Sequence, residues 1–159
     1  MGPRQYGILF GTLLAALWAV ARPAAADLQV LIHTDEAGAE ISDDFLGLSY
    51  ETAQVMPRAD GSHYFSPGNK PLIALFRTLG VKSLRIGGNS VDRAETGLPV
   101  EGDIDSLFQF AKEAGVKVIY SVRLKDGEAA PAARTARYIA EHYGETLDCF
   151  AIGNEPSYL

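Results

Sequence analysis

LGVKSLRI (residues 79–86) and AGVKVIYSV (residues 114–122) are the stretches that set the fold. Each begins at a helix stop and runs directly into a short apolar strand. The two stop glycines, Gly80 and Gly115, lie 35 residues apart, and a looser third copy, YGETLDCFAIG, begins at Tyr143 with Gly144. A glycine just past an apolar-periodic segment is the residue that ends a helix in the left-handed conformation.

Working outward, Leu72, Ile73, Phe76 and Leu79 mark the core face of one helix. Ile104, Leu107, Phe108 and Ala111 mark a second, with Asp103 as its N-cap. A third runs from about Pro131 to Tyr143, with Pro131 at its first position and Ala132, Ala136, Ile139 and Tyr143 inward. The strands are Phe45–Tyr50, Ser83–Gly87, Val118–Leu124 and Cys149–Ile152. Near-continuous apolar runs predict burial on both faces, hence a parallel sheet with helices outside. A further strand, Leu28–Thr34, precedes the series. The spacing is that of βαβ units. It fits either a small doubly wound domain or the first half of a (β/α)8 barrel, the barrel usually needing about 250 residues.

The N-terminus has its own logic. Arg4 precedes an apolar run from Ile8 to Val20, and Ala24-Ala25-Ala26 forms a small-residue cleavage pattern. This predicts a secretory signal peptide over residues 1–26, with a mature domain over 27–159. The run is shorter than the roughly 20 residues that span a bilayer. The expected location is therefore secreted or periplasmic, with no membrane association after cleavage. Losing Arg4 and Arg22 takes the formal charge of −6 to −8, which argues against nucleic acid as a partner. Cys149 is the sole cysteine. It can form no intramolecular disulfide and reads as a small core residue.

In either architecture the functional residues collect at the C-terminal strand ends. The first strand delivers Ser49-Tyr50-Glu51. The second delivers Arg85, Gly87-Gly88-Asn89-Ser90 and Asp92; the third, Arg123 and Lys125; the fourth, Asn154-Glu155-Pro156. Phosphate-cradling glycine motifs, a nucleophile elbow, HExxH and CxxC are all absent from the sequence. His33, His63 and His142 are scattered and read as surface or core residues, so neither a metal nor another cofactor is expected. A rim of Glu, Asp, Asn and Tyr with an arginine suits hydroxyl-rich ligands and carboxylate acid/base chemistry. Pro156 is expected to hold Glu155 extended.

AIGNEP (151–156) resembles the Asn-Glu-Pro signature at the end of the fourth barrel strand in retaining glycoside hydrolases. Together with FLGLSYE (45–51) and LRIGGNSVD (84–92), it resembles glycoside hydrolase family 79, the β-glucuronidase and heparanase-like enzymes, over roughly residues 28–159. The resemblance implies a partial (β/α)8 barrel of about four β/α units and a carbohydrate substrate carrying a β-glycosidic, in particular β-glucuronide, bond. It implies Glu155 as general acid/base and Asn154 as the amide on the sugar 2-hydroxyl. Glu51 and Asp92 would hold other hydroxyls, Arg85 would lie beneath the site and orient the carboxylates, and Asn89 and Tyr50 would be neighbours. It also places the nucleophile on a seventh strand and the Leu28 strand in a C-terminal β-sandwich. The chain then reads as an N-terminal fragment, inactive alone. The alternative is a non-catalytic secreted carbohydrate-binding or pseudo-enzyme domain.

Overall fold

The computed structural model describes residues 28–158; the expected signal peptide lies outside them. The chain divides into two compact units, residues 1–39 and 40–159. The described part of the first, 28–39, is exposed and carries only a turn at 34–36, with His33 Nδ1 3.8 Å from Glu36 Oε1. The expected strand Leu28–Thr34 is absent. Among the described residues no partner strand is present to take up its backbone hydrogen bonds, and a strand exists only where one does.

The second unit carries β1 (Gly47–Glu51), α1 (Lys70–Leu79), β2 (Ser83–Gly87), α2 (Glu101–Ala114), β3 (Lys117–Val122), α3 (Ala129–Tyr143) and β4 (Leu147–Ile152). Four short 3-10 turns fill the loops from 43 to 96 and a fifth spans Pro156–Tyr158. The sheet is parallel throughout, in the order β1-β2-β3-β4. Right-handed crossovers to the next neighbour each time place every helix on the same face. A doubly wound sheet instead needs a point where the strand order reverses, and the described residues have none. The architecture is a four-stranded parallel α/β sheet in sequential order, consistent with a partial barrel.

The helix face is the core. Leu84, Ile86, Val118 and Tyr120 project into it and meet Ile73 and Phe76 of α1, Ile104, Leu107, Phe108 and Ala111 of α2, and Ile139 of α3. Tyr50, Phe65, Phe76 and Phe110 add edge-on aromatic contacts at ring separations of 5.1 and 5.2 Å. The opposite face carries Ser49, Glu51, Ser83, Arg85, Cys149 and Ala151 and has no covering layer among the described residues. The expectation of two buried faces therefore fails for this unit. Cys149 is exposed rather than a core residue, because it lies on that face of edge strand β4. Phe45, expected in β1, is in the preceding 3-10 turn and 77% exposed.

The helix ends follow local chemistry. Gly80 and Gly115 adopt φ of +71° and +76°, closing α1 and α2 as expected. Gly144 stays right-handed. Asn69 caps α1 by accepting the Leu72 N–H at 3.3 Å. Asp103 is not the N-cap of α2 but its third residue. Its Oδ2 accepts the Val100 N–H at 2.9 Å, and its Oδ1 meets His63 Nε2 at 2.7 Å, tying the β1–α1 loop to α2. Pro131 is the third residue of α3, where its missing N–H also costs no helix bond. Leu79 is 58% exposed on the last turn of α1, past the point where the sheet covers the helix.

Helix α3 is clamped to α2 by one carboxylate oxygen. Tyr138 and Tyr143 both donate to Asp105 Oδ1 at 2.7 Å. The hydrogen bond to Asp105 pushes the Tyr138 phenol up to about 12; burial, then Asp105, raises that of Tyr143. A raised phenol favours the fold while it stays protonated. The contribution is full below the ordinary value of 10.0 and is lost as pH climbs toward about 12. Asp105→Ala should lower Tm at neutral pH and flatten the alkaline part of the Tm profile, as read by circular dichroism melts.

Candidate functional site

The C-terminal strand ends carry one connected polar network on the uncovered face. Arg85 projects from β2. Its Nη1 donates to Ser49 Oγ of β1 at 3.1 Å and its Nη2 to Asn154 Oδ1 at 3.0 Å. Asn154 Nδ2 donates onward to Asn89 Oδ1 at 2.9 Å. The Arg85 guanidinium thus spans the sheet from β1 to the loop after β4. Among the described residues its partners are neutral, so it anchors amides and hydroxyls rather than a carboxylate.

Glu51 ends β1 and reaches across to the loop after β2. Its Oε1 accepts the Asn89 N–H at 3.2 Å and its Oε2 the Ser90 N–H at 2.7 Å. The Gly-Gly pair makes room: Gly88 has φ +65°, and a Cβ there would collide with the Glu51 carboxylate. Burial alone would push Glu51 up. The Ser90 hydroxyl and the Ser90 and Asn89 N–H groups outweigh it, Arg93 adds to them, and the carboxyl is held below its ordinary value.

Asp92 joins three loops. Its Oδ1 accepts the Leu124 and Lys125 N–H groups at 2.8 and 2.9 Å, and its Oδ2 accepts the Asn154 N–H at 2.7 Å. Burial again acts upward. The N–H groups of Lys125, Leu124 and Asn154, with Arg123 nearby, prevail and hold Asp92 below the usual aspartate range.

Glu155 follows directly. It is exposed, and its φ is +46° rather than extended, which corrects the expectation drawn from Pro156. The cause lies on its N-terminal side. Gly153 donates to Val122 O at 2.8 Å and Asn154 to Asp92, so the chain is pinned up to residue 154 and must turn within one residue to enter the 3-10 turn at Pro156. A non-glycine residue at positive φ stores strain that its surroundings must offset, and such residues concentrate at functional sites.

Glu51, Arg85, Asn89, Asp92, Asn154 and Glu155 therefore gather at one rim, linked through the bonds above or through the chain itself. Tyr50 stands apart. Alternation along β1 turns its ring to the helix face, where it packs against Tyr64, Phe65 and Phe76.

No family model matches this chain, and no curated protein matches it. Among solved structures it is similar to the AHE enzyme from Alicyclobacillus herbarius, with a TM-score of 0.45 and 15% identity over 76% of this chain. The match spans 38% of that enzyme's chain.

Arg123, which the sequence places at the rim, is a staple. Its Nε donates to Val91 O at 2.8 Å, and its Nη2 to Arg93 O and Gly97 O at 2.7 Å each. It fixes the loop that presents Asn89 and Asp92. Three carbonyls converging on one guanidinium leave no local sequence signal, because the contacts span 26 to 32 residues. A cavity of about 220 Å³ lies beside this staple, lined by Val91, Leu98, Tyr120, Arg123, Pro131 and Thr135 among others, and by none of the rim residues Glu51, Asn89, Asp92, Asn154 and Glu155. Among the described residues no three of His, Cys, Asp and Glu cluster as a metal site.

Chemically, the rim offers one exposed carboxyl beside a fixed amide, above an arginine. Glu51 and Asp92 remain ionised through the neutral range and can accept further hydrogen bonds from hydroxyls with their unused lone pairs.

Proposed function

We propose that this chain is the acid/base-bearing half of the (β/α)8 barrel of a secreted retaining glycoside hydrolase, of the family-79 type, acting on β-glycosidic and in particular β-glucuronide bonds. Glu155 is the general acid that protonates the leaving oxygen and then the base that activates water. Asn154 contacts the sugar 2-hydroxyl, while Glu51, Asp92 and Asn89 hold neighbouring hydroxyls or the loops that do, and Arg85 fixes Asn154 from below. The supporting observation is the Arg85–Asn154–Asn89 chain of hydrogen bonds, together with the Asp92 bond to the Asn154 N–H. It immobilises the residue next to Glu155 at a strand end, as an acid that must meet a bond at a fixed place requires.

A retaining mechanism uses two carboxyl groups about 5 to 5.5 Å apart. In this proposal the nucleophile comes from a later strand, so the 159-residue chain should release no phenol from an aryl β-glucuronide. The same chain extended by four further β/α units of its gene should turn over, and Glu155→Gln there should lower kcat by about 10²- to 10⁴-fold. Turnover by the 159-residue chain that is lost with Glu155→Gln would overturn this division of labour. An inactive extended protein that still binds a glucuronide in calorimetry would support the non-catalytic carbohydrate-binding reading.

A further inference from the structure

Ser121 sits on β3 opposite Ala151 of β4 and is 2% exposed. Its Oγ has no hydrogen-bond partner, the single buried side-chain polar atom among the described residues left so. An unpaired buried hydroxyl is costly, and in a native site it calls for an explanation. Its neighbourhood supplies one. A Cβ built on Gly87 would lie 2.5 Å from Ser121 Oγ and 3.2 Å from Arg85 Nη2. The hydroxyl and the guanidinium therefore flank the same notch, which exists because residue 87 is glycine. In the structure Arg85 Nη2 donates one hydrogen to Asn154 Oδ1, and Asn154 Nδ2 donates one of its two to Asn89 Oδ1. Each end of the amide makes one bond and keeps one site unused, so Asn154 can meet a ligand in place; turning Oδ1 fully toward a ligand would take the acceptor away from Arg85.

We infer that Ser121 is a positioning residue for Arg85: its hydroxyl is a second seat for the guanidinium, taken when Asn154 Oδ1 turns away. Arg85 then keeps a hydrogen bond in both positions. The exchange trades one N–H···O bond for another, and the arginine need only drop into the notch beside Gly87. The release of Asn154 toward a sugar rests on the proposed function; the second seat is a property of this chain by itself.

The test uses the full chain without ligand or turnover, so its failure is distinguishable from failure of the glycosidase reading. Asn154→Ala removes the first acceptor. Solvent exchange of the Arg85 guanidinium protons, followed by ¹⁵N-edited NMR and assigned with Arg85→Lys, should then stay at the wild-type rate. It should speed up by roughly five- to tenfold on adding Ser121→Ala, the factor that one hydrogen bond supplies. In urea unfolding the Asn154→Ala/Ser121→Ala pair should lose more than the two single variants together. Equal exchange with and without Ser121, or additive losses, would overturn the inference. If Asn154→Ala does not fold, Asn154→Ser withdraws the same acceptor and is read in the same way.

Discussion

Asp92→Asn should cost about 2 to 3 kcal/mol and disorder three loops at once. The wild-type carboxylate accepts three backbone N–H groups from two different loops, at 2.7 to 2.9 Å, while itself standing on a third. Hydrogen bonds to a charged acceptor contribute about 1.5 to 3 kcal/mol each when shielded from water. Asp92 is half-buried, so the sum is discounted toward the value of one such bond. An asparagine at this position retains one oxygen and turns an NH₂ toward N–H donors, which makes the replacement a repulsion as well as a loss. Urea unfolding should show the stability change. Faster amide exchange at Leu124, Lys125 and Asn154 should locate it.

The pH dependence carries the same signature. Asp92 is held below the ordinary value of 3.8. A depressed carboxyl stabilises the fold in full above its unfolded value, and the contribution is lost as pH falls through the folded one. Wild-type stability should therefore fall below about pH 4, with Glu51, also lowered, adding to the loss. In Asp92→Asn the Asp92 share of that slope should be absent. If the variant and wild type fall in parallel on acidification, Asp92 does not hold the loops as its hydrogen bonds indicate.

Much of this arrangement is legible in the sequence, and the parts that are not share a cause. The glycine stops at 80 and 115 and the apolar periods between them locate α1, α2, α3 and all four strands, because helix ends and periodicities are local. The candidate rim is legible for the same reason: whatever follows a parallel strand lies at its C-terminal end. Burial is different. CFAI, residues 149–152, reads as a buried strand, yet Cys149 is exposed and Ile152 is 67% exposed. What covers a strand depends on the elements opposite, and no residue in the strand encodes them. Asp92 shows the same limit, since its partners are 32, 33 and 62 residues away. Its place at a strand end can be read from the chain; its use as a joint between loops cannot. Glu155 fails for a third reason: Pro156 biases its φ toward extended, and the anchors at Gly153 and Asn154 override that bias.

Phe108→Ala should have the largest effect of any single truncation, about 3 to 5 kcal/mol. Phe108 is 0% exposed, stacks on Tyr143 of α3 at 5.0 Å and meets Tyr120 of β3 at 6.3 Å. It is where α2, α3 and the sheet meet, so the cavity left behind can close only if α3 shifts. A domain of ordinary size has a net stability of 5 to 15 kcal/mol. This unit buries a single face of its sheet, so a loss of that size would consume much of the total and lower Tm by about 10 to 20 °C. Leu79→Ala, on the exposed last turn of α1, should change stability by no more than about 0.5 kcal/mol. If the two variants behaved alike, the helix-side packing would not be the core. The consequence reaches the rim, because Leu124 and Lys125, whose N–H groups hold Asp92, are the second and third residues after β3. Loosening β3 from behind should therefore speed amide exchange at those two residues more than at Asn89, which Glu51 ties to β1 instead.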